Sequence, residues 1–147
     1  MPRIKLTPCP SYPFRFSITV RTTDLNYGGH LGNDKVLALI HEARTAFLAS
    51  HDMTELECGG VSLIMGDAAV VYKKEAFAGE QLDIAVAAGE PGRSGFRLFY
   101  RITRPSDRAQ IALAETGMVT YDYKAQKIVR LPEELRALCT VSPVEAK

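Results

Sequence analysis

The sequence predicts an α+β domain in which an antiparallel sheet of about five strands wraps around one long central helix. Three observations carry this. Apolar and polar residues alternate in one segment near the N-terminus and in four segments after Gly59-Gly60. A single uninterrupted stretch between them has apolar residues at helical spacing. The later segments are separated by short turn sequences, which join neighbouring strands antiparallel.

The elements follow in order. Pro2, Pro8, Pro10 and Pro13 make residues 1–12 an irregular lead-in. In residues 14–21, Phe14, Phe16, Ile18 and Val20 alternate with Arg15, Ser17, Thr19 and Arg21, the pattern of a half-buried strand. Residues 24–32 hold Gly28, Gly29 and Gly32 and read as a loop. From Asn33 to Ser50, Val36, Leu37, Ile40, Ala43, Phe47 and Leu48 recur at helical spacing, with Asn33 placed to cap and Asp34 to meet the positive end. Four strands follow. Val61, Leu63, Met65, Ala69 and Val71 share a face in residues 61–73; Leu82, Ile84 and Val86 do so in 81–88. Phe96, Leu98, Tyr100 and Ile102 share a face in 96–103, with Arg97 and Arg101 opposite; Ile111, Leu113, Val119 and Tyr121 share one in 110–123. Pro132-Glu133-Glu134 starts a short last helix. The long helix is the only element able to cover the apolar face of such a sheet.

A chain of 147 residues suits one domain, residues 1–147, with one core. Its net charge of +1 gives no field that draws nucleic acid or an anionic membrane. No apolar run reaches the roughly 18 residues that span a bilayer. The start, Met1-Pro2-Arg3-Ile4-Lys5, lacks a signal peptide's apolar core, so a cytoplasmic protein is expected. Cys9, Cys58 and Cys139 are odd in number and scattered, which suggests neither a disulfide framework nor a zinc site. No metal or organic cofactor is implied.

The run from Val20 to Phe47, VRTTDLNYGGHLGNDKVLALIHEARTAF, resembles the entry loop and helix of the hotdog thioesterases, including the acyl-CoA and 4-hydroxybenzoyl-CoA thioesterases. Asp24, Gly29, His30 and Asn33 match that family's D-x-D-x-x-G-H-x-x-N loop, and Glu42-Ala43-Arg44 matches its helix. Val71-Tyr72, Ala78-Gly79-Glu80, Thr120-Tyr121-Asp122 and Leu131-Pro132 resemble later strands and turns of the family. The resemblance implies a hotdog fold, hydrolysis of an acyl-coenzyme A or acyl carrier protein thioester, and a homodimer or homotetramer with the substrate slot between subunits. One departure matters: the family's second loop acid, which often carries catalysis, is Asn26 here.

Thioester hydrolysis needs a polarised carbonyl, a positioned water or carboxylate, and a dry slot. No G-x-S-x-G elbow is present, so carboxylate chemistry with backbone donors remains. Amides near His30, Leu31 and Gly32, at a helix N-terminus, are candidate oxyanion donors. Asp24 is a candidate general base or anhydride-forming nucleophile, or else a structural acceptor for loop amides. Asn26 cannot take a proton but can hold water or the thioester oxygen. His30 either orients the loop or acts as acid or base. Glu42, where another branch of the family places its carboxylate, and Asp67, in register on an apolar strand face, are the further carboxylate candidates, each with a structural alternative. Tyr27, Gly29, Asn33 and Met65 are candidate substrate contacts. Arg93-Ser94 stands at a turn where related folds hold nucleotide, and Lys73, Lys74, Arg97, Arg101 and Arg104 are other candidates along a coenzyme A path. A hotdog hydratase, suggested by Asp24-Leu25-Asn26, and a non-catalytic acyl-CoA-binding protein are the competing readings.

Overall fold

A computed structural model describes residues 1–142. The expected domain runs to residue 147, so its last residues lie outside the described ones. Strand β1 (Phe14–Thr19) leads through a 3-10 turn (Thr22–Asp24) into helix α1 (Asn33–Ala49). Strands β2 (Ser62–Tyr72), β3 (Gln81–Gly89), β4 (Gly95–Arg104) and β5 (Ala109–Asp122) follow. Two short strands, β6 (Lys127–Ile128) and β7 (Cys139–Val141), flank the short helix α2 (Glu133–Arg136). The main sheet has the order β1-β3-β4-β5-β2, antiparallel throughout, with β6 beside β5 and β7 parallel to β3.

Helix α1 lies against the inner face of this sheet. It buries Val36, Leu39, Ile40, Ala43, Phe47 and Leu48, which share one stripe at helical spacing. Leu37, expected in that stripe, is 39 % exposed, and Leu39 takes its place. The cap is also shifted: Gly32 occupies the N-cap without a side-chain bond, and Asn33 is the first helical residue. Facing the helix are Leu82, Ile84 and Val86 of β3 and Phe96, Leu98, Tyr100 and Ile102 of β4, as the alternation predicts.

Strands β2 and β5 differ from their sequence patterns. On β2 the pairing jumps from Met65↔Met118 to Asp67↔Gly117, so Gly66 is an extra residue in a bulge. A one-residue insertion swaps the faces. Leu63 and Val70 therefore pack on the core, whereas Asp67, Ala69 and Val71 pair with Gly117, Glu115 and Leu113 across the outer face. On β5 the helix-facing row is Ala112, Ala114, Thr116, Met118 and Thr120, all buried, rather than the bulkier Leu113, Val119 and Tyr121. Ile111 still reaches the core, at the register irregularity opposite Ile102 and Thr103. Small side chains let the sheet curl onto the helix. The two threonines are satisfied: Thr116 Oγ1 bonds Tyr100 Oη at 2.9 Å, and Thr120 Oγ1 donates to the Val129 carbonyl at 2.6 Å. Tyr100 also accepts from buried Arg44, whose Nε donates to Glu55 at 3.0 Å.

The irregular lead-in is packed rather than loose. Cys9 joins Ala87 and Phe99 in a second small core on the outer face, with Tyr12 and Val141 against it. Arg101 lies over the Tyr12 ring, 4.7 Å from its centre.

Close strand approach makes Gly95, like Gly89, costly to change. A methyl group on Gly95 would lie 2.5 Å from the backbone oxygen of Met118 on β5. Backbone there cannot swing aside, so Gly95→Ala is expected to destabilise the fold by about 1–3 kcal/mol. At Gly117 the obstructing atoms are the ends of the Asp67 and Arg97 side chains, which can move. Thermal melts of the two variants should rank Gly95→Ala well below Gly117→Ala; the reverse order would contradict this packing.

Candidate active site

The loop between the 3-10 turn and α1 is a small hairpin. Leu25 pairs with Leu31, and the Asn26 amide donates to the His30 carbonyl at 2.8 Å. The Asn26 side-chain oxygen accepts from the Gly28 amide at 2.9 Å and, more weakly, from the His30 amide at 3.4 Å. This is an Asx turn. Gly29 completes it at φ 82°, a conformation that favours glycine.

A second segment runs alongside. The Leu31 amide donates to the Ala76 carbonyl at 2.7 Å, which draws residues 72–76 against the hairpin. Tyr72 Oη donates to the Asn33 carbonyl at 2.9 Å. Between the two segments is a cleft of about 360 Å³. Asn26, His30, Leu31 and Asn33 line one side and Tyr72, Lys73, Lys74 and Glu75 the other. His30 Nε2 stands 3.9 Å from Glu75 Oε1, and the imidazole and Phe77 rings lie nearly perpendicular with centroids 6.5 Å apart.

The start of α1 opens here. The Leu31 and Gly32 amides, expected as oxyanion donors, are both spent, on Ala76 and on the Asp24 carbonyl at 3.0 Å. The next two amides, those of Asn33 and Asp34, have no acceptor among the described residues. They are the uncommitted N–H groups of the helix terminus, backed by its dipole.

The expected carboxylates fall elsewhere. Asp24 is 1 % exposed and outside the cleft lining. Its Oδ2 accepts from the Arg21 amide at 2.8 Å and from Arg21 Nε at 3.1 Å, and its Oδ1 from Nη2 at 2.9 Å. The Arg21 guanidinium holds this carboxyl below the usual carboxylate range, despite burial that opposes it. It is therefore a committed acceptor rather than a free base. Glu42 is exposed on α1, nine residues past Asn33, or roughly 13 Å along the helix axis. Asp67 is on the outer face, bound by Arg97 at 2.7 Å, and that contact lowers its pKa. Tyr27 is fully solvent-exposed, and Met65, 46 % exposed at the bulge, is also outside the cleft.

Arg93 and Ser94 sit in a separate hollow of about 350 Å³ with Asp67, Glu90 and Arg97. Most of the arginines proposed along a coenzyme A path have partners already. Arg97 is held by Asp67 and Glu115, Arg104 by Glu80 and Asp107, and Arg101 by the Tyr12 ring. Lys73 and Lys74 make no ion pair among the described residues, and they border the cleft. A thiol nucleophile is disfavoured: burial pushes the Cys9 and Cys139 thiols up to about 11 and Cys58 up to about 12. Among the described residues no His, Cys, Asp or Glu cluster is arranged to hold a metal, and no helix is long and apolar enough to cross a membrane.

Glu75 and Tyr72 are the site residues that the sequence pattern does not single out. Their link to the loop is the Leu31–Ala76 hydrogen bond, which spans 45 positions and leaves no mark in local periodicity. The polar run Lys73-Lys74-Glu75, directly after a strand, is the only trace.

Residues 20–138 match the thioesterase-like superfamily. A 1,4-dihydroxy-2-naphthoyl-CoA hydrolase of Synechococcus elongatus is 27 % identical over 128 residues, covering 84 % of this chain and 92 % of that protein. Among solved structures, a 1,4-dihydroxy-2-naphthoyl-CoA thioesterase from Synechocystis superposes with TM-score 0.77 at 20 % identity, covering 85 % of this chain and 93 % of that one. A Staphylococcus aureus protein solved in complex with CoA superposes with TM-score 0.75 at 15 % identity, covering 93 % and 85 %.

Proposed function

The chain belongs to the thioesterase-like superfamily as a thioester hydrolase of the hotdog fold, and we propose that it cleaves acyl-coenzyme A thioesters in the cleft at the start of α1. The observation that carries this reading is the unspent Asn33 amide at the cleft, followed along the helix by that of Asp34, with His30, Lys73 and Lys74 in the same cleft lining. The amides receive the thioester oxygen as it gains negative charge in the tetrahedral intermediate. The lysines meet the phosphates of coenzyme A. The nucleophile is water, since Asp24 is bound by Arg21 and cannot form an anhydride without breaking that contact. The dihydroxynaphthoyl-CoA hydrolase relative supports an aromatic acyl group.

A homodimer through β2 fits the same reading. This strand is one of the two edges of the main sheet, and Met65, Gly66, Asp67 and Ala68 are exposed at its centre. An exposed edge is a liability that pairing with a second copy removes.

Release of free thiol from a panel of short, long and aromatic acyl-CoAs tests the assignment. Aromatic thioesters should turn over best. Lys73→Ala with Lys74→Ala should raise KM for acyl-CoA by about tenfold or more, the loss of at least one charge-assisted contact. The same change should leave a thioester without phosphates unaffected. Binding of acyl-CoA with no thiol released from any member would instead mark a non-catalytic binding protein.

A further inference from the structure

We propose that His30 is the general base of the hydrolysis and that Glu75 positions it, supplying the carboxylate that Asn26 cannot. This rests on the thioesterase reading above. Hydrolysis by water needs an acceptor for the water proton. Asn26 has no such capacity, and its oxygen is occupied by the Gly28 and His30 amides. Asp24 is sealed against Arg21, Asp67 is bound by Arg97 on the outer face, and Glu42 lies about 13 Å along α1 from its start. Of the residues lining the cleft, Glu75 is the one carboxylate, and it faces the one imidazole.

The surroundings suit the pairing. The His30 backbone is fixed by the Asn26 amide, and its ring rests edge-on near Phe77. Glu75 is held by its own backbone, whose carbonyl accepts from Arg104 Nη1 at 3.0 Å, so its side chain stays free to turn to His30. At 3.9 Å the two groups are wider apart than a hydrogen bond but close enough to pair once His30 takes up a proton. Catalytic contacts of this kind tighten when substrate enters.

Neutral His30 takes a proton from water as the water oxygen bonds to the thioester carbon. The carbonyl electron pair moves onto oxygen, facing the Asn33 and Asp34 amides. Glu75 stabilises the imidazolium so formed. Collapse of the intermediate breaks the carbon–sulfur bond, the thiolate leaves, and the imidazolium returns the proton to sulfur. The products are a carboxylic acid, which ionises, and free coenzyme A.

The test is a double-mutant cycle on kcat and KM with an acyl-CoA that the wild type hydrolyses. His30→Gln should lower kcat about 100-fold and Glu75→Gln about tenfold, with KM little changed. The double variant should be no slower than His30→Gln, because Glu75 acts only through His30. Glu75→Asp should recover part of the loss. Glu75 is 64 % exposed at its side chain, so melts of its variants should match the wild type. Wild-type kcat in Glu75→Gln, or losses that multiply in the double variant, would overturn the dyad alone. A wild type that releases no thiol would overturn the hydrolase reading and the dyad with it.

Discussion

Replacing Asp24 with alanine should destabilise the protein by about 2–3 kcal/mol while leaving turnover by the folded fraction close to wild type. The carboxylate is buried and bonds the Arg21 backbone amide and both ends of its guanidinium. Its loss strands the Arg21 amide at the start of the 3-10 turn and loosens the entry to the Leu25–Leu31 hairpin. Most of the Arg21 side chain is in solvent, so the guanidinium itself recovers hydration and the cost falls on the turn. A domain of this size should lose roughly 5–10 °C of melting temperature. Asp24→Asn should fall between, because an amide keeps part of the bonding but not the charge.

The pH dependence follows from the same contact. Arg21 depresses the folded-state pKa of Asp24 below the unfolded value. Stability from this carboxylate is therefore complete above the ordinary carboxylate range, near 4, and is lost as pH falls through the lower folded value. The stability gap between wild type and Asp24→Asn should be widest near neutrality and narrow below about pH 4. A variant that keeps its melting temperature but loses its turnover would return Asp24 to the chemistry.

The contrast between Asp24 and Glu75 shows what could be read from the chain and what could not. Elements with strong local pattern were legible: β3 and β4 bury the stripes that their periodicity marks, and α1 does so with Leu39 in place of Leu37. The loop motif also groups three residues of the candidate cleft, because Asn26, His30 and Asn33 are close in sequence and fold back on themselves. Patterning failed where one residue resets the alternation, at Gly66, and where small residues rather than large ones face the helix, on β5. Pattern alone also does not show which partner a side chain meets. Asp24 has the right type and spacing for a base, but three hydrogen bonds from Arg21 commit it. Asp67 sits in an apolar run, but the bulge turns it outward to Arg97. Glu75 has no motif at all and reaches His30 only because a backbone bond joins Leu31 to Ala76.

The amide that opens α1 can be removed without removing the helix. Proline is tolerated at the first helical position, where its missing N–H costs no helical bond. Gly32 before it already has φ −69° and ψ 143°, which a following proline accepts. The Asn33 carbonyl that holds Tyr72 is retained. Asn33→Ala serves as the control, since it deletes the same side chain and keeps the amide. Steady-state kcat of the two variants on one acyl-CoA is therefore the decisive measurement. Asn33→Pro should turn over about 100- to 1,000-fold more slowly than Asn33→Ala at similar KM and melting temperature. Equal rates in the two variants would mean that the thioester oxygen is stabilised somewhere else.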